Sequence, residues 1–135
     1  MDATVVRLLI AAGICSGLVG ALRLLTAVVL RRSTAAARHL AQFTPGTPGV
    51  VFFTTPDCMT CRTAQRPALD ALSRRLGRAI QVIELDALDN STLAREWSVL
   101  SVPTTFILDR DGHPRQVNHG FTSTDKLASQ LAALR

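Results

Sequence analysis

The sequence predicts an α/β domain with a mixed sheet, in the order β-α-β-α-β-β-α, preceded by one transmembrane helix. Residues 8–30 are predominantly apolar, contain no charged residue except Arg23 and predict that helix. Residues 50–54 are β-branched or aromatic, a composition typical of a strand covered on both faces. Helical and strand-like patterns then alternate along the chain, and 135 residues leave room for one domain of ordinary size.

The first 32 residues are predicted to form a membrane anchor that crosses the lipid bilayer over about residues 8–30. Roughly 20 apolar residues are enough to cross the hydrocarbon core as a helix. Arg23 lies near the end of this span, where its guanidinium can extend to the lipid headgroups. Three alternatives remain open: a cleaved signal peptide, a helix lying flat on the membrane, and a lipoprotein anchor at Cys15. Cys15 is otherwise expected to be an apolar filler.

The positive charge of the chain is concentrated near this segment. Residues 1–43 contain five arginines and one acidic residue, which accounts for most of the net charge of +5. This pattern indicates a membrane surface and no nucleic acid, since aromatic residues that could stack on bases are also few. More arginines follow the span than precede it, which favours a cytoplasmic domain, with an extracytoplasmic domain as the alternative. Residues 33–48 are expected to be a tether that ends in helix-breaking prolines and glycines.

Residues 49–135 are predicted to form the globular domain. Its first strand is followed by a helix over about residues 59–76, which Gly77 terminates. Residues 80–85 and 104–108 are predicted strands, with a short helix from residue 91 to about 97 between them, capped by Asn90 or Ser91. Residues 111–112 predict a hairpin turn into a strand over residues 115–119, and the last helix begins at Ser123 or Thr124.

The residues that indicate chemistry are Cys58 and Cys61, which lie where the first strand ends and a helix begins. Unpaired backbone N–H groups and the helix dipole stabilise a thiolate at that position, which favours Cys58 as the nucleophile. Two intervening residues allow the cysteines to close a disulfide, so that Cys61 resolves a mixed disulfide. Zinc binding and an inert structural disulfide are the alternatives, but the sequence has no second C-x-x-C motif and only scattered histidines, His39, His113 and His119.

The domain resembles the thioredoxin family over roughly residues 49–135. An apolar strand leads into the segment Cys-Met-Thr-Cys-Arg at 58–62, residues 97–104 resemble the approach to the family's cis-proline, and residues 118–120 resemble the glycine that borders the substrate groove. The resemblance implies that the Val102–Pro103 peptide is cis and faces the cysteines. It also implies that Val102, Pro103 and Gly120 contact an extended substrate segment.

Several residues depart from the family's pattern. Asp57 replaces a tryptophan before the first cysteine, and Met59 and Thr60 stand between the cysteines, so these three residues are expected to tune the redox potential. Phe52 occupies the position of a buried acid, and Glu84 is a candidate proton relay for Cys61, the alternative being an exposed or ion-paired Glu84. The helix-kinking proline is displaced by one position to Pro67. The family's first strand and first helix are expected to be absent.

The predicted function is that of a thiol–disulfide oxidoreductase, and reduction of protein disulfides is the favoured direction. No cofactor or metal is expected beyond the Cys58–Cys61 pair. The expected partners are protein disulfides, a thiol reductant or a membrane electron donor, and membrane lipid around residues 8–30. A monomer is expected. Two other classes remain open: a thioredoxin-fold binding module and a metal-delivery protein, in both of which the cysteines do not turn over.

Overall fold

The structure is a computed structural model that describes residues 2–37 and 40–134, with the side chains of all of these except 32–37. It begins with helix α1, Ala3–Ala37, which is 35 residues long. The stretch Ala3–Arg31 of this helix is long and apolar enough to cross a membrane, a test that a signal sequence also passes. The most apolar part of this stretch is not buried against the domain. A straight helix of 29 residues measures about 43 Å.

Four strands form one mixed sheet, as the sequence predicts, and the second strand lies at one edge beside the first, followed by the third and the fourth. They are β1, Gly49–Thr54; β2, Gln81–Asp86; β3, Thr104–Leu108; and β4, Pro114–His119. Strand β1 is parallel to β2 and antiparallel to β3, while β3 and β4 form an antiparallel hairpin. The register places Thr54, Asp86, Thr104 and His119 at one end of the sheet, which we call the cysteine end.

The core lies on both faces of this sheet, because every residue of β1 and β3 is buried. Val51 and Phe53 of β1 face one hydrophobic cluster, in which the rings of Phe53, Trp97 and Phe106 pack against one another. Val50 and Phe52 face the second cluster, which also contains Cys61. Alternate residues of one strand therefore supply two cores, and β1 is central, as its apolar composition predicts.

Helices cover both faces. Helix α2, Arg66–Leu76, and helix α4, Thr124–Ala132, pack on the second cluster, whereas helix α3, Ser91–Glu96, contributes to the first. The Ser123 side chain accepts a hydrogen bond from the Lys126 amide and caps α4, one of the two residues expected to do so. Asn90 occupies the cap position of α3 without a capping bond, because its amide group donates to the Asp86 carbonyl.

The segment expected to be a tether docks onto the domain over part of its length. Residues 33–37 continue α1, Leu40 is buried in the first cluster, and Phe43 packs beside it. The Phe43 ring also lies where a side chain on Gly112 would stand, and the Gly46 amide donates to the Arg110 carbonyl over 2.8 Å. Helix α1 therefore packs on the same face as α3, where the sequence predicts no second helix. Arg38 and His39 lie outside the described residues.

The β3–β4 hairpin is organised by the carboxylate of Asp109. It accepts hydrogen bonds from the amides of Asp111 and His113, both over 2.9 Å, and from Nε of Arg115 over 2.6 Å. Burial opposes ionisation of Asp109, but the His113 amide and the Arg115 guanidinium outweigh it and hold the pKa of this carboxyl below its ordinary value. Gly112 completes the predicted turn with a φ of +83°.

We expect Asp109→Asn to lower the free energy of unfolding by about 1–2 kcal/mol at pH 7, because charge-assisted hydrogen bonds are lost. The lowered pKa means that this stabilisation is present above the unfolded pKa of about 3.9 and is lost as the pH falls through the folded value. Urea titration of the full chain in detergent at pH 7 and at pH 3 measures both. Asp111→Asn, which changes an exposed carboxylate, is the matched control. An equal loss at both pH values would contradict this explanation.

Candidate functional site

The two cysteines of the C-x-x-C motif lie at the cysteine end of the sheet, in the turn that leaves β1. Their Sγ atoms are bonded, at a distance of 2.12 Å. Cys58 is half-buried, whereas Cys61 is fully buried. The amide of Cys61 donates a hydrogen bond to Sγ of Cys58 over 3.2 Å. This is the arrangement expected of an attacking thiolate, because a backbone N–H at a helix start stabilises negative charge on sulfur.

The helix that begins at the cysteines contains a π turn, Cys61–Gln65, in which the Arg66 amide donates to the Cys61 carbonyl five residues back. Pro67 follows directly. A proline has no N–H for the ordinary α-helical bond and its ring crowds the carbonyl four residues earlier, so the wider turn relieves both conflicts. The proline displaced by one position is therefore accommodated by a change of helical type, and Cys61 and Gln65 both face inward.

The loop before β3 forms the other side of the site. The Val102–Pro103 peptide is cis, as the resemblance implies. Pro103 is buried, and Val102 packs against both hydrophobic clusters, the second of which also contacts Cys58. The Gly120 amide donates to the Pro103 carbonyl over 2.8 Å, and Gly120 itself has a φ of +82°. The structure thus brings the predicted residues Val102, Pro103 and Gly120 together at the cysteine end of the sheet.

Gln65 is a residue of the site that the sequence did not single out. Its side chain is fully buried and makes two hydrogen bonds with the backbone of Thr122: Nε2 donates to the carbonyl over 3.1 Å, and Oε1 accepts from the amide over 2.8 Å. These bonds join the helix that carries Cys61 to the segment just after Gly120. The sequence could have indicated this role only through the spacing, since Gln65 lies one helical turn after Cys61 and therefore on the same face. Polar residues on a helix are usually exposed, so the spacing did not single out Gln65.

The surroundings of Cys61 are apolar. It belongs to the buried cluster that contains Phe52, Leu69 and Leu127. Phe52 occupies the position where the family resemblance would place a buried acid, so this strand offers no carboxylate beneath the site. Burial among apolar side chains disfavours a thiolate at Cys61. The two sulfurs therefore have opposite environments, one favouring the anion and the other the neutral thiol.

The other predicted site residues lie on the surface. Asp57, Met59 and Thr60 are all exposed, and Sδ of Met59 lies 3.9 Å from Nη2 of Arg62. Glu84 is exposed on the edge strand β2 and forms an ion pair with Arg66, with Nε of Arg66 3.3 Å from the carboxylate. Within the described part of the chain, Glu84 has no hydrogen bond to either cysteine. Its position matches the ion-paired alternative and not the predicted proton relay for Cys61.

One group of potential metal ligands occurs in the described part of the chain, formed by Asp109, Asp111 and His113. It lies in the β3–β4 hairpin, at the opposite end of the sheet from the cysteines. The hydrogen bonds of the hairpin already account for the Asp109 carboxylate. His119 is exposed at the end of β4, and His39 lies outside the described residues. Neither His113 nor His119 therefore joins the cysteine pair in a group of potential metal ligands.

A mixed sheet with helices on both faces, a C-x-x-C pair at a helix start and a cis-proline beside it define the class of thioredoxin-fold dithiol proteins. Sequence comparison agrees: a family model for thioredoxin matches residues 32–133. This chain belongs to the thioredoxin family. The match begins at residue 32, so it includes the end of α1 as well as the sheet.

Individual relatives are similar at low identity. The thioredoxin of Bacillus subtilis is 30% identical over 81 residues, covering 58% of this chain and 76% of the relative. Thioredoxin 2 of Plasmodium falciparum is 32% identical over 79 residues, covering 58% of this chain and 50% of the relative. This chain thus spans about half the length of that protein. The thioredoxin of Porphyra purpurea is 35% identical over 60 residues, covering 44% of this chain and 55% of the relative.

Solved structures agree on the fold. The malaria parasite thioredoxin-2 superposes with a TM-score of 0.62 at 26% identity, covering 67% of this chain and 86% of the other. A thioredoxin-like protein from Clostridium perfringens superposes with a TM-score of 0.61 at 26% identity, covering 70% and 76%. About a third of this chain has no counterpart in these structures.

We expect Gln65→Met to lower the free energy of unfolding by about 2–3 kcal/mol, because the amide and carbonyl of Thr122 lose their partner in a buried position. Urea titration of the full chain in detergent gives the value. Gln42→Met, at an exposed position, is the control and should stay within about 0.5 kcal/mol of the parent. A loss as small as that of the control would mean that Gln65 does not join the two segments.

Proposed function

We propose that this protein is a membrane-anchored thiol–disulfide oxidoreductase that reduces protein disulfides with Cys58 and Cys61. The observation that carries the proposal is the amide of Cys61 directed at Sγ of Cys58, beside the Val102–Pro103 loop. Membership of the thioredoxin family supports the same chemistry. No cofactor is required beyond the cysteine pair.

In the proposed reaction, the Cys58 thiolate attacks one sulfur of a substrate disulfide, and the other substrate sulfur leaves as a thiolate that takes up a proton. The mixed disulfide is then attacked by Cys61, which releases the second substrate thiol and closes the Cys58–Cys61 disulfide. The substrate gains two electrons and two protons, which the cysteine pair loses. A thiol reductant must reopen the protein disulfide before the next cycle.

The substrate segment is proposed to lie along Val102 and Gly120. Among the described residues, the main-chain groups of Val102 have no hydrogen-bond partner, so they are available to pair with an extended peptide. The Pro103 carbonyl already accepts from Gly120 and is therefore not available in the same way. Recognition through main-chain groups gives affinity with little dependence on substrate sequence, which suits a reductase of several proteins.

Residues 8–30 of α1 are proposed to cross the membrane, with the domain on the cytoplasmic side. Mean hydropathy and length support the span, and the arginines that follow it support the orientation. Cytoplasmic thiol reductants would then return the cysteine pair to the dithiol state. A reversed orientation would require a membrane electron donor instead, so a reporter fused to the C-terminus distinguishes the two arrangements.

We expect Cys58→Ser to abolish reduction of a protein disulfide, since no nucleophilic thiolate remains. Cys61→Ser should instead accumulate a covalent mixed disulfide, because the resolving thiol is missing. Insulin reduction and non-reducing gel electrophoresis measure the two effects, with Cys15→Ser as the matched control that retains activity. Failure of the parent to reduce insulin would support a binding module, and stoichiometric copper or zinc binding by the reduced pair would support metal delivery.

We also expect the midpoint potential of the Cys58–Cys61 couple to lie near or below about −250 mV, in the range of thioredoxin at about −270 mV. Alkylation of the full chain in detergent after equilibration in dithiothreitol or glutathione buffers gives the midpoint. The full chain is needed because Leu40 is part of the core. A midpoint above about −180 mV would indicate an oxidant or isomerase and would reverse the proposed orientation.

A further inference from the structure

Helix α1 leaves no flexible spacer between the proposed membrane span and the domain. Val29 packs against the first hydrophobic cluster of the domain, although it lies inside the span of about residues 8–30. The helix is continuous through this point. Residues 8–27 alone measure about 30 Å along a helix, the thickness of the hydrocarbon core. The domain therefore begins within a few residues of the lipid headgroups.

The direction of α1 determines which end of the domain is nearest the membrane. The segment that follows the helix lies at the hairpin end of the sheet, because Phe43 contacts Gly112 and Gly46 bonds to Arg110. From there the helix runs back along the domain and contacts β4 and α3. Helix α3 follows the end of β2 and is joined to it by the bond from Asn90 to Asp86. The helix therefore leaves the domain toward the cysteine end.

The exposed apolar side chains of the domain lie at the same end. Outside α1, four large apolar residues are exposed in the described part of the chain, and each flanks the cysteine end: one between the cysteines, one after β2, one before the cis-proline and one after β4. They are Met59, Leu88, Leu100 and Phe121. Leu100 is the most exposed, at 91%. We call these four residues the apolar rim.

We propose that the cysteine end of the domain faces the bilayer, with the apolar rim in the headgroup region, so that Cys58 acts on disulfides close to the membrane surface. This inference rests on the membrane anchoring and the redox activity proposed above. A bilayer is the occupant that the geometry favours, because the helix entering it leaves from the end that carries the rim. Apolar side chains at such an interface are stabilised by partial burial of about 5–10 Å.

The first test measures the orientation. The full chain is reconstituted in vesicles of phosphatidylcholine and phosphatidylglycerol, with or without brominated acyl chains, after Leu100→Trp or Asp111→Trp substitution. The native Trp97 is fully buried and gives the background. We expect bromolipid quenching at position 100 to exceed that at position 111 by at least about twofold, because the rim enters the headgroup layer and the hairpin does not. Equal or greater quenching at position 111 would overturn the inference.

The second test measures the substrate preference, without substitutions in the rim. Two acylated peptides in the same vesicles carry one disulfide, either within a few residues of the lipid or beyond a proline-rich spacer of about 20 residues, which extends about 60 Å. We expect the disulfide near the lipid to be reduced at least about threefold faster, since it is presented at the height of Cys58. Faster reduction of the distant disulfide would overturn the inference.

Two measurements separate failure of this inference from failure of the proposed function. Flotation of the chain with the vesicles tests the anchor, and reduction of a small soluble disulfide tests the redox activity. If the chain floats and reduces the soluble disulfide but shows no preference in either test, only the proposed orientation is wrong. If it does not float, the anchor and the orientation are both wrong.

Discussion

The burial of β1 on both faces is the constraint on which the rest of the structure depends. Its alternate residues supply two hydrophobic clusters, so the strand cannot shift by one position without exchanging the two cores. The fixed register determines where the strand ends, and the turn after Thr54 places Cys58 at a helix start. The chemistry of the cysteine pair therefore depends on an apolar core in which Cys61 is fully buried and Cys58 only partly buried.

Much of the domain could be predicted from sequence, because its signals are local. The strands, the hairpin turn at Gly112 and the cap of α4 at Ser123 each depend on a few neighbouring residues, and the structure has them all within a residue or two. The cysteine pair was equally clear, since both cysteines lie within seven residues of the end of a buried strand. The cis peptide at Pro103 came from family resemblance, as composition alone does not distinguish it.

The errors have a common physical cause, which is contact between residues distant in sequence. Residues 40–48 are rich in turn-forming residues and predict a tether, yet Leu40 and Phe43 find an apolar surface formed by strands far along the chain. Gln65 is polar and predicts an exposed position, but its partner lies 57 residues away in Thr122. For Glu84 the sequence left two alternatives, a proton relay for Cys61 or an exposed, ion-paired residue, and the ion pair with Arg66 on the neighbouring helix matches the second.

The apolar packing of Phe52 with the Cys61 cluster has a kinetic consequence. In the proposed reaction, the second thiol loses its proton before it attacks the mixed disulfide, and β1 beneath it has no carboxylate to accept that proton. Water or the substrate must serve instead, so we expect the covalent complex to persist longer at low pH than at high pH. A slow second step lengthens the time for which the substrate stays covalently bound to Cys58.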